Sequence, residues 1–116
     1  MPINSKMKGK AGELEACKVL ERILGINFER SVQYCGRAGD ADIKGVDGLH
    51  LEVKRVEKMN LYDAMKQAES DAPDDKVPVV MHRKNRKGWV MIINAEDMIS
   101  FAHAVLATLD AADASQ

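Results

Sequence analysis

Residues 40–54 read Asp40-Ala41-Asp42-Ile43-Lys44-Gly45-Val46-Asp47-Gly48-Leu49-His50-Leu51-Glu52-Val53-Lys54. Ala41, Ile43, Leu51 and Val53 alternate with polar residues at the period of a half-buried strand, and Val46-Asp47-Gly48 interrupts them as a turn. The stretch predicts a β-hairpin over 40–55, and the parity of its loop decides which side chains share a face. A two-residue Asp47-Gly48 turn would set Asp42 opposite Val53 and split the charges between faces. A three-residue loop, with Gly48 in the left-handed conformation, sets Asp42 opposite Glu52 and Asp40 opposite Lys54. Only the odd loop, or an equivalent bulge, also gathers Ala41, Ile43, Leu51 and Val53 on one apolar face. Core formation therefore selects the register that brings the carboxylates together.

Opposed residues of an antiparallel pair hold their Cβ atoms about 4.5 to 5.5 Å apart, so two carboxylates there repel unless a cation separates them. Oxygen-only donors favour a hard divalent ion, magnesium or manganese, over zinc. Lys54 projects on the Glu52 face beside that ion, where an ammonium could meet a phosphate oxygen or orient a water. The competing reading is a solvated, salt-bridged sheet face with Asp40 and Lys54 as a plain pair. A calcium-binding EF-hand is excluded despite Gly45 at the sixth position from Asp40. Its fifth position would be Lys44 and its twelfth Leu51, where a bidentate glutamate is required.

Working outward, a helix is expected from Gly9 to Leu24, closed by Gly25, and a strand over Asn27–Gln33. Asn60 reads as an N-cap with Asp63 at the third helical position. It opens a helix that Pro73 ends, with Leu61, Ala64, Met65, Ala68 and Ala72 inward. Val77–Arg83 and Trp89–Ile93 read as strands, the first at a sheet edge or with Pro78 near its beginning. Asn94 is expected to cap a last helix with Met98, Ala102, Val105, Leu106 and Leu109 inward, and 110–116 to fray. The order α-β-β-β-α-β-β-α implies an α/β fold: a mixed five-stranded sheet flanked by helices.

At 116 residues the chain has room for one domain, and 46% hydrophobic with 30% charged residues is an ordinary globular balance. No apolar run approaches the length of a membrane span, and no signal-peptide pattern opens the chain. Cys17 and Cys35 have no metal or redox spacing, which suits free thiols in a reducing cytoplasm. The net charge of −1 averages unlike segments. Lys6, Lys8 and Lys10 form a basic N-terminal arm, and Arg83, Lys84, Arg86 and Lys87 a second basic run beside His82. Setting aside the four acids after Ile93 leaves 17 bases against 14 acids. Two basic patches on a near-neutral body suit a polyanion on one face, or simple solvation.

Glu13 breaks the helical pattern. At 100° per residue, Cys17, Leu20 and Leu24 lie about 40°, −20° and 20° from it, so its carboxylate falls within the buried stripe while Glu15 points to solvent. An inward carboxylate needs a partner. The helix dipole with a lysine would supply one, and a functional site another.

Gly12-Glu13 in the first helix, the Gly-rich run into Ala41-Asp42-Ile43, and Glu52-Val53-Lys54 together resemble the PD-(D/E)xK nuclease superfamily, nearest to archaeal-type Holliday junction resolvases and their phage-encoded relatives. The likeness runs from Lys8 to Ile93, with alanine replacing the usual proline before Asp42. It implies a restriction-endonuclease-like fold and a Mg²⁺-dependent endonuclease, Mn²⁺ substituting, that cuts branched DNA as a homodimer. No small-molecule cofactor and no membrane partner are expected, and the location is the cytoplasm, the host's if phage-encoded. By position, Asp42 matches the motif aspartate, Glu52 and Lys54 the ExK pair, Glu13 the first-helix acid and Gln67 a glutamine near the site. Asp42, Glu52 and the Val53 carbonyl would hold the metal, with Glu13 completing its shell or orienting Lys54. Lys8, Lys10, Tyr34, Arg37, Lys44, Arg83, Lys84, Arg86 and Lys87 are the expected DNA contacts. The histidines, His50 among them, receive no role. Two other functions fit the same residues: a nuclease of flaps, single strands or duplexes without junction preference, and a non-cutting DNA-binding module. A regulatory α/β domain unrelated to DNA is a third.

Overall fold

Helix α1 (Ser5–Leu24) leads into a short strand β1 (Glu29–Arg30), and the hairpin follows as β2 (Ile43–Lys44) and β3 (Leu49–Arg55). This is a computed structural model, which describes residues 5–31 and 41–115. Helix α2 (Leu61–Asp71) then crosses over to β4 (Val77–Arg83), β5 (Val90–Ile92) returns, and α3 (Met98–Ala114) closes the chain after a 3₁₀ turn at Ala95–Asp97. The five strands form one mixed sheet in sequence order, with β3 and β4 parallel and every other pair antiparallel. Parallel neighbours need a long crossover, and α2 is that connection.

The expected element order holds, with shifted ends. α1 begins at Ser5 rather than Gly9, so residues 5–8 of the expected arm are helical. Within the span expected for the first strand, the described pairing covers only Glu29–Arg30. Asn60 caps α2 as expected, its Oδ1 accepting the Asp63 amide at 3.1 Å. Pro78 is the second residue of an interior strand. There its missing N–H costs the sheet least.

Two apolar layers flank the sheet. On one face Ala16, Cys17 and Leu20 of α1 pack on Ile43, Leu51, Val79 and Met81, with Phe101, Ala104 and Val105 of α3 against the same cluster. On the other, Ala64, Met65 and Ala68 of α2 cover Val80. Burying each large aliphatic side chain contributes about 1.5–3 kcal/mol. Leu61, expected inward, is exposed at the first turn of α2.

The last helix departs furthest from expectation. Met98 and Leu106, expected inward, are 60% and 58% exposed; Val105 packs on the core as expected, with Phe101 and Ala104 beside it. The Asn94 side chain does not cap; its Nδ2 donates to Glu69 Oε1 at 2.7 Å. The 3₁₀ turn it precedes rotates the phase of the helix that follows. α3 also continues to Ala114 rather than fraying at Asp110, as suits an alanine-rich segment. An apolar groove of about 260 Å³ remains between α1 and α3, lined among others by Ile23, Phe28, Trp89, Met91, Phe101 and Val105.

Candidate active site

Ile43 pairs with Leu51, which is the register of the odd loop, and both side chains are buried in the α1-side core. The turn is closed by the Leu49 amide on the Val46 carbonyl at 3.2 Å. Gly48 does not take the left-handed conformation expected of it; among the described residues the glycine with positive φ is Gly25, at the end of α1. Gly48 serves space instead. A Cβ there would lie 2.6 Å from the Ala104 Cβ of α3.

Just before β2 the chain bends at Asp42. Its carbonyl accepts the Ser31 amide at 3.0 Å, and its own amide donates to the Leu51 carbonyl at 2.9 Å. The side chain then takes over the ladder: Asp42 Oδ2 accepts the Val53 amide at 2.8 Å. The carboxylate is thereby fixed beside β3 at the level of Glu52, which is 8% exposed. Burial pushes the Asp42 carboxyl up to about 7. The Val53 N–H opposes that shift, while the Glu52 carboxylate, which shares a hydrogen bond with it, and Glu13 add to it. Like charges are crowded here.

Residues 50, 52 and 54 alternate onto the α2 side of β3, since Glu52 stands beside Val80 and Lys54 beside His82 in the parallel ladder. The face that carries chemistry therefore lies under α2. Lys54 Nζ donates to Gln67 Oε1 of α2 at 3.4 Å. In an extended strand a residue's N–H and C=O point to the same neighbour, so the Val53 carbonyl also faces the β2 side.

Glu13 is inward, as its helical phase requires, but Arg30 holds it: Nε donates to Oε1 at 2.8 Å. One residue earlier, Gly12 lets α1 lie close on β3, because a Cβ at that position would meet the Arg55 Cβ at 2.7 Å. Among the described residues no group of three or more His, Cys, Asp or Glu side chains is arranged to hold a metal. Of the expected donors, Asp42, Glu52 and the Val53 carbonyl stand together beside β3, while Glu13 is engaged by Arg30. These are oxygen donors only, and a hard divalent cation fits them because it would offset both the burial of the Asp42 carboxylate and the like charge of Glu52 beside it.

The remaining expected residues divide. Lys84, Arg86 and Lys87 are exposed in the β4–β5 turn, and Lys10 and Lys44 are exposed on α1 and β2. Arg83 is engaged internally, donating from Nη1 to Glu15 and from Nε to the Lys87 carbonyl at 2.6 Å. Glu15 therefore does not simply face solvent; it also accepts Trp89 Nε1 at 3.0 Å. Tyr34, Arg37, Asp40 and the side chain of Lys8 lie outside the described residues. Two residues that sequence reasoning passed over stand in the site: Arg30 on Glu13, and His50, whose Nε2 lies 2.8 Å from Glu52 Oε1. The period-two spacing of His50 and Glu52 on one strand was the available signal for the second.

No protein-family model matches the chain, and no curated protein matches it. Among the described residues no helix is long and apolar enough to cross a membrane.

Proposed function

We propose that the chain is a metal-dependent DNA endonuclease of the PD-(D/E)xK type with a restriction-endonuclease-like fold, acting in the cytoplasm on branched DNA as a Holliday junction resolvase. The observation that carries this reading is the Asp42 carboxyl set in a buried position beside Glu52: burial above all, with the Glu52 carboxylate adding to it, lifts it to about 7 and makes a cation the natural third party. Asp42, Glu52 and the Val53 carbonyl would hold Mg²⁺, with Mn²⁺ as substitute. Bound there, the ion would supply Lewis-acid charge and lower the pKa of a water for phosphodiester hydrolysis.

The chain's own groups do the rest. Lys54, leaning on Gln67, stabilises charge developing on the scissile phosphate or orients the attacking water. Glu13, tied to Arg30, adds to the negative field at Asp42. Lys10, Lys44, Lys84, Arg86 and Lys87 are free of ion pairs among the described residues and would contact phosphates, giving affinity rather than sequence choice. A second copy of the chain would supply the second cut of a junction, and the exposed Met98, Ile99 and Leu106 of α3 support such pairing.

The test is incubation of the protein with a labelled four-way junction, a flap and a linear duplex, with Mg²⁺ and with chelator. Paired symmetric nicks in the junction support the resolvase, and metal-dependent cutting of all three a nuclease without junction preference. Glu52→Gln and Lys54→Ala should each abolish cleavage with DNA binding retained; cutting at the parental rate by either overturns the assignment. Binding without any cleavage would mark a non-cutting module.

A further inference from the structure

His50 is 1% exposed, and its ring nitrogen Nε2 lies 2.8 Å from Glu52 Oε1. Both residues are on β3, two positions apart and hence on one face. A carboxylate oxygen is an acceptor, so the tautomer that makes this bond carries its proton on Nε2. One of the two Glu52 oxygens is thus committed inside the protein before any ligand arrives.

We propose that His50 is a positioning residue that pins Glu52 Oε1, leaves Oε2 alone to face the cation, and so sets which cation the site takes. This rests on the metal-dependent reading above. An oxygen that already shares its charge with a ring N–H is the weaker second donor and is held in one orientation, which disfavours bidentate binding. Ca²⁺ often takes carboxylates in that mode within its six to eight oxygens, whereas Mg²⁺ keeps strict octahedral geometry and binds through one or two carboxylates with several waters. The His50–Glu52 bond therefore discriminates against the larger ion. It acts through ligand geometry and touches neither DNA nor cation.

The experiment is calorimetric titration of the full-length protein, without DNA, with Mn²⁺ and with Ca²⁺, on the parental chain and on His50→Gln, His50→Asn, His50→Leu and Glu52→Gln. Glutamine can place an amide N–H where Nε2 stands, and asparagine is too short. The Asn and Leu variants should lose about 10- to 100-fold in Mn²⁺ affinity and narrow the Mn²⁺ preference over Ca²⁺, while Gln stays within about threefold of parental. Nitrogen-15 spectra of the metal-free protein should show the His50 proton on Nε2. Parental affinity and ion preference in the Asn and Leu variants overturn the proposal, as does an equal loss in all three. If His50→Leu does not fold, the Gln and Asn pair decides. A parental chain that binds no Mn²⁺, or a Glu52→Gln variant that binds it undiminished, overturns the metal reading itself, and the role of His50 with it.

Discussion

The Asp42 carboxylate stands in for main chain: its Oδ2 takes the Val53 amide at 2.8 Å, where a continuous ladder would have offered the carbonyl of residue 41. One side chain thus both completes the sheet and presents charge beside Glu52. Asp42→Ala removes the acceptor and leaves a part-buried N–H unmet, which costs about 1–3 kcal/mol. Asp42→Asn keeps an acceptor oxygen. Thermal melts at pH 7 should show a clear drop for alanine and none for asparagine.

The raised Asp42 carboxyl makes stability depend on pH in an uncommon direction for an acid. Unfolded, the group titrates near its ordinary value of 3.8; folded, it titrates at about 7. Between those values the folded state holds the extra proton, so its contribution is favourable at low pH and is lost as pH rises through about 7. Without metal, the melting temperature should fall between pH 5 and pH 8, by several degrees for a domain of this size. Asp42→Asn should flatten that slope and melt higher than the parent at pH 8. A parental profile that rises over this interval would contradict the crowded-acid geometry.

Contact between Gly48 and Ala104 joins the hairpin turn to α3. Gly48→Ala places a methyl 2.6 Å from the Ala104 Cβ, too close to tolerate without a shift. The cost should be about 1–3 kcal/mol in chemical denaturation. Adding Ala104→Gly should restore part of it. Additive losses in the double variant would show that the two residues do not meet.

Gln67 steadies Lys54 across the space between α2 and β3. If Lys54 acts on the scissile phosphate, Gln67→Ala should lower kcat by about tenfold through looser positioning, with Mn²⁺ affinity unchanged. The two quantities together distinguish a positioning glutamine from a ligand.

The basic run divides into structural and free members. Replacing Lys84, Arg86 and Lys87 together by serine should lower the slope of log affinity for duplex DNA against log salt by about two to three if all three neutralise phosphates. Their removal should leave the melting temperature within about 2 °C of the parent. Arg83→Ala should do the reverse, because it breaks the Glu15 link between β4 and α1.

Register was legible because it was over-determined. Ile43, Leu51 and Val53 could reach one core only through an odd loop, so the pairing of Ile43 with Leu51 followed from burial alone. Gly48 was misread because its turn residues looked like a conformational requirement, when the constraint is a methyl of α3 more than fifty residues away. Arg30 was invisible for a similar reason: nothing in its neighbourhood along the chain points to Glu13. The phase of α3 failed through the turn at Ala95–Asp97, which periodicity alone does not reveal. Long-range partners account for the misses at Gly48 and Arg30, and a short local turn for the phase of α3.

Helix α3 carries no fully buried residue and rests on the body through one narrow strip around Ala104. A segment held so lightly can detach as a cooperative unit while the central strands stay paired. Its amide protons should trade with deuterium long before those of Leu51 and Val79, so the C-terminal seventeen-residue rod and the carboxylate pair belong to separate thermodynamic compartments. Damage to one can leave the other intact.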